Sequence, residues 1–251
     1  MEVDSVATGR LDVRERLDQA RRAGHDALDE PAAKKLLESF GIAVPRGEVV
    51  ADAAAARRSA ARLSGPLAAK LVSPKALHKS DIGGVLLSLQ TPEEVESAVL
   101  RLSEAAAAHA VAVSGYLVEE MAPAGCELVV GGMLDPRFGP VIMLGLGGVF
   151  VEIFADTAFR VCPIDEADAR DMIDQLQAAP LLRGARGRQR VPEDAIVACL
   201  LAVGGDRGLM TTLRDEVAEL DINPLMVSVQ GAVACDARIV LRRPEAASDE
   251  G

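Results

Sequence analysis

Apolar positions recur along the chain with two different periods, and the switches between them mark its elements. Asp29-Glu30-Pro31 opens the first clear helix. Asp29 stands where a cap belongs, Pro31 suits the first turn, and Ala33, Leu36, Leu37 and Phe40 form an apolar stripe at helical spacing. Gly41 ends this helix, and Ile42-Ala43-Val44-Pro45 leads to a short strand at Gly47–Val50. Asp52 caps an alanine-rich helix running to Leu63. Thr91, followed three residues later by Glu94, opens another that runs to Ala110. Strands are predicted at residues 116–121, 126–133 and 141–144, with a further apolar run at 149–154. Helices are predicted at 166–178 and 193–203, and two strands, 217–222 and 232–235, finish the fold.

This order is a mixed first half followed by a strand-rich second half with two inserted helices. It does not alternate strand and helix as a doubly wound sheet would, so the prediction is two α+β lobes sharing a cleft. Residues 1–27 read as a polar, partly ordered tail with a weak helical pattern in Leu11, Val13 and Leu17, and residues 244–251 as a disordered acidic tail. The folded unit is expected over 28–243, divided into lobes at about 28–119 and 120–243.

Between the second and third helices lies the stretch around which the chain is organised. The apolar run Pro66-Leu67-Ala68-Ala69 delivers Lys70 at the end of a short strand. A polar loop follows with Lys75, His78, Lys79, Asp81 and the pair Gly83-Gly84, before the apolar run Val85-Leu86-Leu87-Ser88-Leu89. A strand, a cationic glycine-bearing loop and a return strand make a hairpin able to close over phosphates. An ordinary surface hairpin with solvated lysines has the same pattern.

Composition narrows the choice. The net charge is −11, and the 251 residues include five Phe, one Tyr and no Trp. Such a chain is ill suited to base stacking, to duplex DNA or to an anionic membrane surface, so a polyanion would need a local cationic pocket and metal. No apolar run approaches the roughly 18 residues of a membrane span. The N-terminus lacks signal-peptide character, and a cytoplasmic location is expected. Cys126, Cys162, Cys199 and Cys235 stand apart among small or apolar neighbours, as buried free thiols do in a reducing compartment.

Several acids stand at predicted strand ends. Glu119 and Glu127 flank the loop 121–125; Glu152 and Asp156 follow a glycine cluster; Asp221, Asn223 and Asp236 belong to the terminal strands. Hard oxygen donors of this kind suit Mg²⁺, which takes one or two carboxylates and fills its shell with water and phosphate oxygens. Asn223 and Asp236 stand out because their strands are otherwise strongly apolar. The cluster Gly145-Leu146-Gly147-Gly148 matches neither a dinucleotide fingerprint nor a Walker loop, and a glycine turn between strands accounts for it equally well. Of three histidines, only His78 has lysines and glycines around it. A neutral imidazole there can accept a phosphoryl group while nearby lysines stabilise the oxygens.

Taken together, these motifs resemble the ATP-grasp β subunits of NDP-forming acyl-CoA synthetases, most closely the ADP-forming acetate–CoA ligases. The resemblance runs from about Leu28 to Leu241. It is carried by Lys70 with Ser73-Pro74, His78-Lys79-Ser80-Asp81-x-Gly83-Gly84-Val85, Glu119-Glu120-Met121 and Glu127-x-x-x-Gly131. It continues through Asp135-Pro136-x-Phe138-Gly139-Pro140, Gly145-Leu146-Gly147-Gly148-x-x-x-Glu152, Leu182-x-Gly184-x-Arg186-Gly187, Asp221-Ile222-Asn223-Pro224-Leu225 and Asp236-Ala237-Arg238.

The resemblance implies an ATP-grasp fold with ATP or ADP and Mg²⁺ in the cleft between lobes. Lys70 would hold nucleotide phosphates, Gly83 and Gly84 would form the lid, and Glu119 and Glu127 would be the hinge and nucleotide-binding acids. Asn223 and Asp236 would be the Mg²⁺ ligands, and His78 would relay phosphate between ADP and a histidine on another subunit. Because the CoA-binding half of fused family members is absent, the resemblance also implies a separate CoA-binding α subunit carrying the first phosphohistidine, in an α2β2 assembly. A regulatory grasp module of a protein-acetyltransferase assembly, or a ligase for another acid, are the alternatives.

Overall fold

The computed structural model describes residues 14–15, 17–73, 82–147, 156–187 and 189–242. Two antiparallel sheets organise them. The smaller has the order β2-β5-β3-β4, formed by β2 (Gly47–Val50), β3 (Leu67–Val72), β4 (Val85–Leu89) and β5 (Gly115–Glu120). The larger runs β1-β11-β9-β6-β7-β8, with β10 also paired to β9. Its strands are β1 (Ala27–Leu28), β6 (Cys126–Asp135), β7 (Gly139–Leu146), β8 (Thr157–Val161), β9 (Val217–Ser228), β10 (Gly231–Ala234) and β11 (Ala237–Leu241).

The helices form where the sequence supplies caps and stripes. Asp29 accepts from the backbone N–H of Ala32 at 3.0 Å and starts α1 (Glu30–Ser39). Asp52 does the same for Ala55 at 2.7 Å and starts α2 (Ala53–Ala60). The Thr91 hydroxyl accepts from Glu94 N–H at 3.1 Å, opening α3 (Pro92–Ala108). α2 and α3 cover one face of the small sheet, where Ala56, Ala60, Val95, Val99 and Leu102 meet Ala69, Leu71, Tyr116 and Val118. In the large lobe, α4 (Glu166–Gln175) and α5 (Glu193–Gly204) bring Met172, Ile173, Ile196 and Leu200 onto Leu128, Val130, Ile142, Leu144, Ile222 and Ile239.

Several elements differ from the sequence prediction. Ala33, Leu36 and Leu37 of α1 join the core of the large sheet, although the expected division placed α1 with residues up to 119. In the stretch read as a partly ordered tail with a weak helical pattern, residues 17–22 are indeed helical and Leu17 is buried, and β1 at its end pairs with β11. The helix predicted over 166–178 stops at Gln175, because the buried Asp156 carboxylate takes the N–H groups of Gln177 at 2.7 Å and Ala178 at 2.9 Å. β8 and β11 were not predicted, and β9 continues to Ser228 beyond the expected end at Ile222. The apolar run at 149–154 lies outside the described residues.

All four cysteines are free thiols; Cys126 and Cys199 are buried, while Cys162 and Cys235 are partly covered. Among the described residues no helix is long and apolar enough to cross a membrane.

Candidate functional site

The inner face of the small sheet carries the candidate chemistry. Along β3, Ala69 and Leu71 point into the helical core, so the alternation of a strand sends Ala68, Lys70 and Val72 to the opposite face. On β5 the core residue Val118 leaves Leu117 and Glu119 on that same opposite face. Lys70 pairs with Leu117 and Ala68 with Glu119, which makes Lys70 and Glu119 diagonal neighbours. Both are buried.

Facing them are Glu30 and Lys34 of α1, an i,i+4 pair on the large lobe. Lys34 Nζ lies 2.9 Å from Glu30 Oε1 and 2.6 Å from Glu119 Oε2. Lys70 Nζ lies 2.6 Å from the same Glu30 Oε1 and 2.8 Å from Glu119 Oε1. Two carboxylates and two ammonium groups thus alternate around a closed ring, two from each lobe, with all four side chains buried. Burial works to discharge Lys70. The carboxylates of Glu30, Glu119 and Asp236 outweigh it and hold the ammonium above the ordinary lysine range.

Lys70 makes one more contact: its ammonium donates to the Cys235 carbonyl at 2.7 Å. Cys235 and Asp236 connect β10 to β11, and this connection is tied to β9 at a bulge. On β6, Leu128 pairs with Leu225 but Val130 pairs with Ile222, so β9 carries one extra residue at Asn223-Pro224. The bulge shifts the parity of the strand, keeping Leu220, Ile222, Leu225 and Val227 buried while Asn223 is exposed. Asn223 N–H reaches the Asp236 carbonyl at 3.3 Å, and Cys235 N–H reaches the Pro224 carbonyl at 2.9 Å. The Asp236 carboxylate also accepts the N–H of Ala237 at 2.7 Å. Lys70, Glu119, Asn223 and Asp236, far apart in the sequence, are therefore brought to one place.

Of the other expected residues, Gly84 is close to this centre: its carbonyl accepts the N–H of Leu71, next to Lys70, at 2.9 Å. Gly83 adopts φ of 69°, a left-handed turn natural to glycine. Glu127 is exposed on β6, opposite Met226 of β9. Its carbonyl accepts Gly147 N–H at 2.7 Å, and a Cβ on Gly147 would stand 2.9 Å from that carbonyl, so the glycine permits a close approach. His78 lies outside the described residues, as do Gly148 and Glu152. His25 and His109 are exposed. Asp156 is a structural acid, engaged with backbone N–H groups, and Glu120 accepts from Ser64 N–H at 2.9 Å.

Residues 19–241 match the family described as the ATP-grasp domain. Across 230 residues the chain is 39% identical to the β subunit of acetate–CoA ligase (ADP-forming) II from Pyrococcus furiosus, covering 90% of this chain and 96% of that one. The chain belongs to the ATP-grasp family, among the β subunits of ADP-forming acetate–CoA ligases. It is also similar to a solved structure of Ca. Korarchaeum cryptofilum dinucleotide-forming acetyl-coenzyme A synthetase 1 in complex with coenzyme A and Ca-AMPCP. That match has a TM-score of 0.87 and 39% identity, with 91% of this chain and 99% of that chain covered. A second structure of the same enzyme, in complex with Mg-AMPPCP, matches with a TM-score of 0.80 and 39% identity over 92% of this chain and all of that one.

For an ATP-grasp protein the donor set is chemically apt. Among the described residues no group of three or more His, Cys, Asp and Glu side chains forms a metal cluster. Asn223 and Asp236 instead offer an amide and a carboxylate on adjoining segments, the sparse hard-oxygen set that Mg²⁺ takes together with nucleotide phosphates. Sequence reasoning missed Glu30 and Lys34. Their signal was present: residues 30, 33, 34 and 37 share one helical face, so both charges fall within the apolar stripe of Ala33 and Leu37.

Proposed function

We propose that this β subunit binds Mg·ATP or Mg·ADP between its lobes, with Lys70 on the phosphates and Asn223 and Asp236 as the protein ligands of Mg²⁺. The observation that carries this reading is the contact of the Lys70 ammonium with the Cys235 carbonyl, one residue from Asp236. It puts the cationic end of one lobe against the oxygen donors of the other. The overall reaction is acid + CoA + ATP to acyl-CoA + ADP + phosphate, run in either direction.

Each residue has a definite task in it. Lys70 neutralises phosphate oxygens, and Gly83 and Gly84 let backbone approach them closely. Glu119 holds the base of β5 at the hinge, and Glu127 meets the nucleotide from β6. Mg²⁺ bound at Asn223 and Asp236 supplies further positive charge to the phosphates. His78 takes the phosphoryl group from a histidine of the partner and passes it to ADP, or the reverse. The β-subunit kinship supports a separate partner, which would be a CoA-binding α subunit carrying the first phosphohistidine, in an α2β2 assembly within the cytoplasm.

Calorimetric titration of the full chain with ADP and ATP, each with and without Mg²⁺, tests the site. Mg²⁺-dependent binding is expected, and Asp236→Ala should weaken it by at least the ~10–100-fold typical of disturbing a metal site. His78→Ala should bind nucleotide normally yet give no turnover with the α partner. Full turnover by that variant would rule out the relay, and equal binding by Asp236→Ala would rule out the metal site.

A further inference from the structure

The ring of Glu30, Lys34, Glu119 and Lys70 poses a problem for any phosphate that approaches Lys70. An ammonium has three protons to donate. Those of Lys70 all have acceptors within the protein: Glu30 Oε1 at 2.6 Å, Glu119 Oε1 at 2.8 Å and the Cys235 carbonyl at 2.7 Å. A phosphate can engage Lys70 only by taking the place of one of them. Where that partner is Glu30 or Glu119, a buried carboxylate loses one of its two cations, which is costly unless the other holds it.

Lys34 removes that obstacle. It touches both carboxylates, Glu30 at 2.9 Å and Glu119 at 2.6 Å, and so stays paired with whichever of them Lys70 leaves. We infer that Lys34 is a positioning residue for Lys70: it stays with Glu30 and Glu119 as the compensating cation and so releases the Lys70 ammonium to the nucleotide phosphates. Glu30 acts in the opposite sense, as the restraint from which Lys70 is released. This inference rests on the proposed role of Lys70. It adds that the charge balance of the ring, set by a helix of the other lobe, tunes affinity for phosphate.

The balance gives the two helix residues opposite signs, which a purely structural role would not. In the full-length chain, with Mg·ADP as the probe, Lys34→Met leaves Lys70 as the one ring cation for two carboxylates and should weaken binding about tenfold. Glu30→Gln removes one restraint and should bind at least as tightly as the unaltered chain. The double variant Glu30→Gln/Lys34→Met restores a neutral ring of Lys70 and Glu119, and should return to within about threefold of the unaltered chain.

Should Lys34→Met fail to fold, the charge-balanced double variant and Glu30→Gln still decide the matter. The inference is overturned if Glu30→Gln weakens binding or if the double variant binds more weakly than about tenfold below the unaltered chain. Lys70→Met is the reference for the underlying reading. If it binds Mg·ADP as the unaltered chain does, Lys70 is not the phosphate ligand and the proposed site falls with it. If it loses binding while Glu30→Gln and Lys34→Met both weaken it, only the role of Lys34 falls.

Discussion

Single residues at this site are constrained by charge balance and close approach. Removing one member of a buried ion pair costs about 3–5 kcal/mol, because the partner is left charged and unpaired. Lys70 sits in such a ring with its proton held more tightly than in the unfolded chain. Its contribution to stability is complete below the unfolded lysine range, about 10.4, and is lost only above it. Lys70 therefore confers no pH dependence on folding near neutrality. Gly147 shows the other kind of constraint. A Cβ there would lie 2.9 Å from both the carbonyl carbon and oxygen of Glu127, the oxygen that receives Gly147 N–H. Gly147→Ala must move the β6 backbone at Glu127 and should destabilise the chain by about 1–3 kcal/mol in urea titration. It should also weaken nucleotide binding if Glu127 meets the ligand. An alanine variant with unchanged stability and affinity would show that the approach is not needed.

At the scale of elements, caps and stripes were legible in the sequence, and what depended on partners was not. Asp29, Asp52 and Thr91 each cap the helix expected of them, since a cap is a local exchange between one side chain and one N–H. The lobe to which α1 belongs is a tertiary matter, settled by where Ala33, Leu36 and Leu37 find a core. The bulge at Asn223-Pro224 was equally invisible: it exists only in the register of β9 against β6. Of the site, Lys70, Glu119, Asn223 and Asp236 were named from motifs, but the ring that joins Lys70 and Glu119 to Glu30 and Lys34 was not, because it exists only once α1 has docked. The different destinations of α1 and α3 make a test. Asp29→Ala and Thr91→Ala should each cost about 1 kcal/mol of stability. Only Asp29→Ala, which loosens the turn bearing Glu30, should also change the affinity for Mg·ADP. Equal affinity changes in both variants would mean that α1 has no special link to the site.

At the scale of the whole molecule, two cores of unequal size pack under the two sheets. The small-sheet core is built largely from Ala and Val, with Tyr116 the one aromatic among its described buried members, while the large-lobe core draws on far more Leu and Ile. A core so small is marginal by itself and gains stability by docking. The ring of Glu30, Lys34, Glu119 and Lys70 is the buried ionic part of that docking. The sequence happens to label the lobes separately. Its only tyrosine, Tyr116, lies in the small core, and with no Trp its fluorescence reports that lobe alone. All four cysteines lie in the sequence beyond Glu119. Cys199 is the most useful: it is buried in the large core, and burial pushes its thiol up to about 12, leaving little reactive thiolate at pH 8 until the lobe opens. Tyr116 fluorescence and Cys199 labelling should therefore pass through one common urea transition in the unaltered chain. In Lys70→Met, where the ring loses the cation of the small lobe, the Tyr116 transition should move to lower urea than the Cys199 transition. Separate transitions in the unaltered chain would show that the lobes fold independently of the ring, and coincident ones in Lys70→Met that other contacts between the lobes suffice to couple them.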